Sequence, residues 1–198
     1  MIIAEANRFF AEVGFEGQTR ALANRLGVTQ PLLYRYFPDK EALIERVYAE
    51  VFVDSWNDSW SEGLSDRDRP LRDRLVDLYL NYTQAPFSYE RVRLFMFATL
   101  KPERDIAERY LGFVRQSLFV PLVHEIRAHA HLDQSRDISE SEVDCVAGLH
   151  GAIGYVGMRH WADHPPASVE MRGVIVGLVA TFLEGAPAAF AALSASAP

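Results

Sequence analysis

Apolar residues recur every three to four positions along almost the whole chain, and no stretch of apolar-polar alternation at period two is found, so the fold is expected to be all-α. Ile2, Ala6, Phe9 and Val13 form the first stripe, which Gly14 should end as a C-cap. Thr19 reads as the N-cap of a short second helix that points Leu22, Ala23 and Leu26 inward and closes at Gly27. Thr29 reads as the N-cap of a third helix, which must stop before Pro38 because a residue preceding proline avoids the α region. Three helices within the first 37 residues, with glycine at two turns, have the layout of a helix-turn-helix unit.

Asp39 should cap a fourth helix built on Leu43, Ile44, Val47, Tyr48, Val51 and Phe52 and running to about Ser61. The polar loop Gly63 to Pro70 interrupts the pattern. Beyond it the spacing predicts a helix from Leu71 to about Tyr82, one from Ser88 to about Leu100, and a long one opened by Pro102 with a kink at Pro121. Ser139 with Glu142 predicts a capping box for a helix from Glu140 to about Asp163, and Ser168 caps the last, ended by Gly185 and Pro187. The expected organisation is a helix-turn-helix head over 1–48, a helical body over 49–187, and a frayed alanine-rich tail over 188–198.

Charge sharpens this division. The chain of 198 residues carries −7, which disfavours indiscriminate nucleic-acid binding, yet residues 18–40 hold four basic residues against one acidic. That local +3 leaves −10 for everything else and suits a protein that meets a polyanion at one end. The sole cysteine, Cys145, cannot form an internal disulfide and fits a reducing compartment, so a cytoplasmic protein is expected. The first ten residues lack a signal-peptide layout. The uncharged windows Cys145–Met158 and Gly173–Leu183 fall short of the roughly 18 apolar residues of a membrane span, so they are expected to be buried helices.

Candidate chemistry concentrates in the third helix. Leu33 and Phe37, four apart, suffice to pin one face, which leaves Thr29, Gln30, Pro31, Tyr34 and Arg35 to point outward. A glutamine amide can pair two-fold with an adenine edge, a proline ring can pack on a thymine methyl, and arginine suits guanine or phosphate. Tyrosine hydroxyls and Lys40 suit phosphates.

The segment GFEGQTRALANRLGVTQPLLYRYFPDKEALIERVY resembles the DNA-binding head of the TetR family of bacterial transcriptional repressors, over about residues 2 to 50. The features that carry the resemblance are Thr19, Gly27, the tyrosine at 34, and Lys40 after a short loop. It implies that Thr29, Gln30, Pro31, Leu32 and Tyr34 face bases, that Thr19, Tyr36 and Lys40 hold phosphates, and that Arg20 and Arg35 do either. It also implies a body that binds a small-molecule inducer and dimerises through its last two long helices on a palindromic double-stranded DNA operator, without catalysis or cofactor.

The body adds weaker signals. Gly148, Gly151, Gly154 and Gly157 wind round one helix, and Gly173 and Gly177 lie four apart on the next. Each costs up to ~1 kcal/mol in a helix interior, so close backbone approach is expected, either across a dimer seam or within the chain. Tyr79, Tyr82, Phe95, Phe113 and Tyr155 are candidates for an apolar ligand pocket, or simply an aromatic core. His160 and His164 have a spacing that can share a metal, although helix-end histidines also complement the helix dipole, and no metal site is assigned. No phosphate-binding glycine loop or nucleophile, base and acid set is found, so an enzyme is disfavoured; a helical protein-binding adaptor is the alternative to a regulator.

Overall fold

A computed structural model describes residues 1–54, 56, 59–84, 89–100, 106–162 and 170–195. Among them the chain is helical and carries no strand. It separates into two compact units, Met1–Trp56 with Ser88–Leu111, and Asn57–Phe87 with Gly112–Pro198. The change of pattern near residue 48 thus falls inside the first unit, which also takes in a later helix.

The first unit holds α1 (Ile2–Val13), α2 (Thr19–Arg25), α3 (Gln30–Tyr36), α4 (Lys40–Tyr48) with a π-turn over Ala49–Val53, and α7 (Tyr89–Thr99). Its core is Ala6, Phe9, Phe10, Phe15, Leu22, Leu33, Leu43, Ile44 and Val47, all buried. Val13, expected inward, is exposed; Phe10 and Ala11 take the inner face instead, because α1 packs on α7 as well as on α2 and α4. Gly14 ends α1 at φ 79° and Gly27 follows α2 at φ 67°, both in the left-handed region where glycine costs least. Thr29 caps α3 by accepting from the Leu32 N–H at 3.3 Å, and Asp39 caps α4 by accepting from the Ala42 N–H at 2.7 Å.

Two expectations fail here. The second helix is capped by Gln18 with no side-chain bond, while Thr19 is its first full member and is buried, its hydroxyl being engaged elsewhere. The fourth helix does not run to Ser61. It ends in the π-turn, closed by the Asp54 N–H on the Ala49 carbonyl at 2.7 Å, and a separate α5 (Ser59–Ser65) follows.

The second unit holds α5, α6 (Leu71–Gln84), a π-turn over Arg115–Phe119, α9 (Val120–His129), α10 (Glu140–Ala162) and α11 (Met171–Ala195); α8 (Ile106–Val114) spans the division between units. The expected kink at Pro121 is met by that π-turn, directly after which Pro121 stands in the first turn of α9, where its missing N–H costs little. The capping box forms: Glu142 N–H donates to Ser139 Oγ at 3.3 Å and Ser139 N–H to the Glu142 carboxylate at 2.9 Å. Leu75, Tyr79, Leu122, Val123, Ile126, Val146, Ile153, Ile175 and Val179 make the core. Ser88, Pro102 and Ser168 lie outside the described residues.

The last helix departs from expectation twice. It continues through Pro187 to Ala195, so the tail is not frayed from residue 188 onward; burial of Ala186 and Phe190 offsets the lost backbone bond. Nor is it a buried helix. Its stretch Met171–Leu193 is long and apolar enough to cross a membrane by length and composition, with mean hydropathy 1.8, yet 22% of its most apolar window is buried.

Candidate nucleic-acid interface

The geometry of α3 follows from its anchors. Leu33 is sealed and Phe37 half-buried, so the opposite face of a two-turn helix must look outward. Thr29, Pro31, Tyr34, Arg35 and Tyr36 are exposed, while Gln30 and Leu32 are half-buried. Tyr36 is 66% exposed and takes no part in the core. Arg20 on α2 is exposed, and Lys40 opens α4 half-buried.

Thr19 stands apart from this set. It is 5% exposed, and its Oγ1 lies 2.9 Å from the Tyr34 hydroxyl and accepts the Gln30 Nε2–H at 2.9 Å. One hydroxyl thus joins the N-terminus of α2 to two side chains one turn apart on α3.

Electrostatics distinguish the cations. Arg25 is committed to the protein: it donates to Glu12 at 2.6 Å, sits 3.9 Å from Glu5, and its guanidinium lies over the Phe9 ring at 5.1 Å. The hydrogen bond from Arg25 holds the Glu12 carboxyl below its usual range. Arg20, Arg35 and Lys40 make no ion pair among the described residues, so the local positive charge near α3 is available to an anion.

Residues that periodicity did not reveal support this head from α7 and α8. The Arg93 Nε donates to the Ala11 carbonyl at 2.5 Å and its Nη2 to the Glu12 carbonyl at 3.3 Å, satisfying groups that the C-terminus of α1 leaves open. Arg91, buried, donates to the Val51 carbonyl in the first π-turn at 2.5 Å and lies over Phe52 at 5.2 Å and Tyr110 at 5.5 Å. Arg109 binds Glu45 on α4 with two bonds of 2.7 and 2.8 Å. The available signal was the alternation of arginine with aromatics in YERVRLFMF, which reads equally as a solvated helix face.

The candidate ligand residues are shared between the two units. Tyr79 and Tyr82 are buried in the second unit beside His150, whose ring centroid lies 6.0 and 5.1 Å from theirs and 5.3 Å from that of Phe119. The Tyr82 hydroxyl lies 3.4 Å from His150 Nε2, while the Tyr79 hydroxyl has no hydrogen-bond partner among the described residues. Phe95 packs on Tyr110 in the first unit, Phe113 is half-buried, and Tyr155 is 61% exposed on α10.

Among the glycines of α10 and α11, Gly157 is buried within the chain, unlike the others. Gly148, Gly151, Gly173 and Gly177 are exposed and Gly154 half-buried. A methyl group built on Gly148, Gly151, Gly154 or Gly177 would meet open space, and on Gly173 only the carboxylate of Glu170. No group of three metal-ligating side chains converges among the described residues, and the His160 side chain and His164 lie outside them. Cys145 is half-buried, and burial pushes its thiol up.

Residues 2–47 match the family model described as bacterial regulatory proteins, tetR family. No curated protein shows a significant match to the chain.

Proposed function

We propose that the chain, whose residues 2–47 match the model of bacterial regulatory proteins of the tetR family, is a homodimeric cytoplasmic repressor of that family, released from a palindromic operator by a small molecule. The observation that carries this reading is the outward set of α3. Thr29, Gln30, Pro31, Leu32 and Tyr34 offer hydrogen-bonding and apolar edges for bases, flanked by Arg20, Arg35, Tyr36 and Lys40 for phosphates. Binding by two copies sets half-sites about one DNA turn apart, roughly 34–36 Å, or a multiple of it.

The open glycine stripe and the apolar, largely uncovered α11 support pairing through α10 and α11, since glycine lets two backbones approach closely. Tyr79, Tyr82 and His150 support an apolar inducer with a hydrogen-bonding group in the second unit, with Phe113 and Tyr155 of that unit as further candidate contacts. Such an inducer acts only by favouring the form that does not bind the operator.

Selection of bound DNA from a random pool tests the reading. A palindrome is expected, and replacing both Gln30 and Tyr34 by alanine should remove sequence-specific retardation while leaving the oligomer intact; undiminished specific binding by that variant defeats it. Gly177→Glu should yield a folded monomer in sedimentation that no longer shifts operator DNA.

A further inference from the structure

Thr19 presents an anomaly if it is to hold a phosphate. A side chain that is 5% exposed offers little surface to an anion, and its hydroxyl is already shared between two residues of α3. We infer that Thr19 is a positioning residue for base readout: it locks the Gln30 amide and the Tyr34 phenol in the orientations in which they meet the groove. This rests on the reading of α3 as the helix that reads DNA, and it adds where the discrimination of that helix comes from.

A hydroxyl has one hydrogen and two lone pairs. Thr19 Oγ1 accepts one N–H of the Gln30 amide, which fixes the amide nitrogen on the α2 side. The Gln30 oxygen and its second N–H then remain side by side as an acceptor-donor edge. That edge complements adenine, which presents N6–H and N7, and mismatches guanine, which presents two acceptors, O6 and N7. An amide turned over would reverse the order of acceptor and donor along that edge and lose the match to adenine.

The Tyr34 hydroxyl, 2.9 Å from the same oxygen, completes the arrangement. When Thr19 donates to Tyr34, the bonds run in one direction from Gln30 through Thr19 to Tyr34, each polarising the next. The phenol hydrogen is then left to donate to a base acceptor. The opposite direction would turn a lone pair towards that acceptor, which disfavours it, so binding selects the first. Tyr34 is 37% exposed, enough to offer that hydrogen to the groove.

The test uses the full-length protein and an operator obtained by selection, synthesised with each of the four bases at the pair whose preference Gln30→Ala abolishes. Thr19→Val keeps shape and β-branching but removes the hydroxyl; Thr19→Ala removes it without any risk of overpacking, and Thr19→Ser restores it. Both hydroxyl-free variants should lose about tenfold or more of the preference for adenine over guanine at that pair, while binding to unrelated DNA stays unchanged and serine recovers the preference. Helical circular dichroism identifies a variant that has not folded, and the slow exchange expected for one Gln30 side-chain amide proton in the wild-type protein reads the same bond without any substitution. Equal weakening on every sequence would mean a phosphate contact and overturn the inference, as would an unaltered preference or rapid exchange of both amide protons. Failure of the wild-type chain to select any sequence would bring down the underlying reading of α3, a result distinct from a specific binder that is indifferent to Thr19.

Discussion

The two units solve the burial of arginine in different ways. In the first, Arg91 and Arg93 donate to main-chain carbonyls of Val51, Ala11 and Glu12 and lie over aromatic rings, so they act as caps for a π-turn and a helix end. In the second, Arg127 meets the carboxylate of Glu142 with bonds of 2.8 and 2.7 Å, both side chains fully buried, and Arg74 meets Glu125 at 2.6 Å. A carbonyl does not titrate, whereas a buried carboxylate does. The bonds that Arg91 and Arg93 make to carbonyls are ones that acid does not touch, whereas the second unit joins its helices through buried pairs that acid can break.

Substitution of Arg127 should have the largest effect. Arg127→Met leaves Glu142 buried with less compensation and should cost about 3–5 kcal/mol, read by hydrogen exchange as lost protection in α9 and α10 while α1 to α3 keep theirs. Equal loss in both units would break the comparison. Acid acts on the same pair. Burial alone would raise the Glu142 carboxyl, but the bonds from Arg127 and Ser139 outweigh it and bring it to about 2, below its usual 4.5. Because the folded value is the lower one, the stabilisation is complete above about pH 4.5 and disappears as the pH falls towards 2. Glu125, pushed up by burial and more strongly down by Arg67 and Arg74, should follow in the same direction. Exchange in α9 and α10 should accelerate over this range more than at the end of α1.

Arg91→Met strands the Val51 carbonyl and should cost less, about 1–3 kcal/mol. The loss should concentrate at the first π-turn and the C-terminal turn of α4. Smallest is Asp39→Ala, which removes a cap at an exposed helix start and should cost about 1 kcal/mol by chemical denaturation. A larger loss would mean that Asp39 does more than satisfy the Ala42 N–H.

What could be read in advance was governed by distance along the chain. Thr29, Asp39 and the Ser139–Glu142 box bond to groups three residues away, and Gly14 and Gly27 answer to the dihedrals of their own turns, so residue type and spacing sufficed. Thr19 shows where that stops. As a threonine opening a helix it looks like a cap, but its partners sit 11 and 15 residues on, and tertiary contact overrides local preference. Arg93 reaches back 82 residues to Ala11, a pairing that no periodicity encodes, which is why the incorporation of α7 in the first unit was not legible. The break after Val53 and the persistence of α11 past Pro187 likewise depend on neighbours contributed by other segments. For the outward face of α3 two inward anchors decided the geometry, and both lie within the helix and its cap.

The sealed phenol of Tyr79 has a use beyond recognition. Burial raises it far above the ordinary tyrosine range, so it stays un-ionised in alkali for as long as the core around it is closed. Its ultraviolet absorbance change should arrive only with opening of the surrounding core. Among the eight tyrosines of the chain, it is a built-in optical probe of whether the second unit is closed.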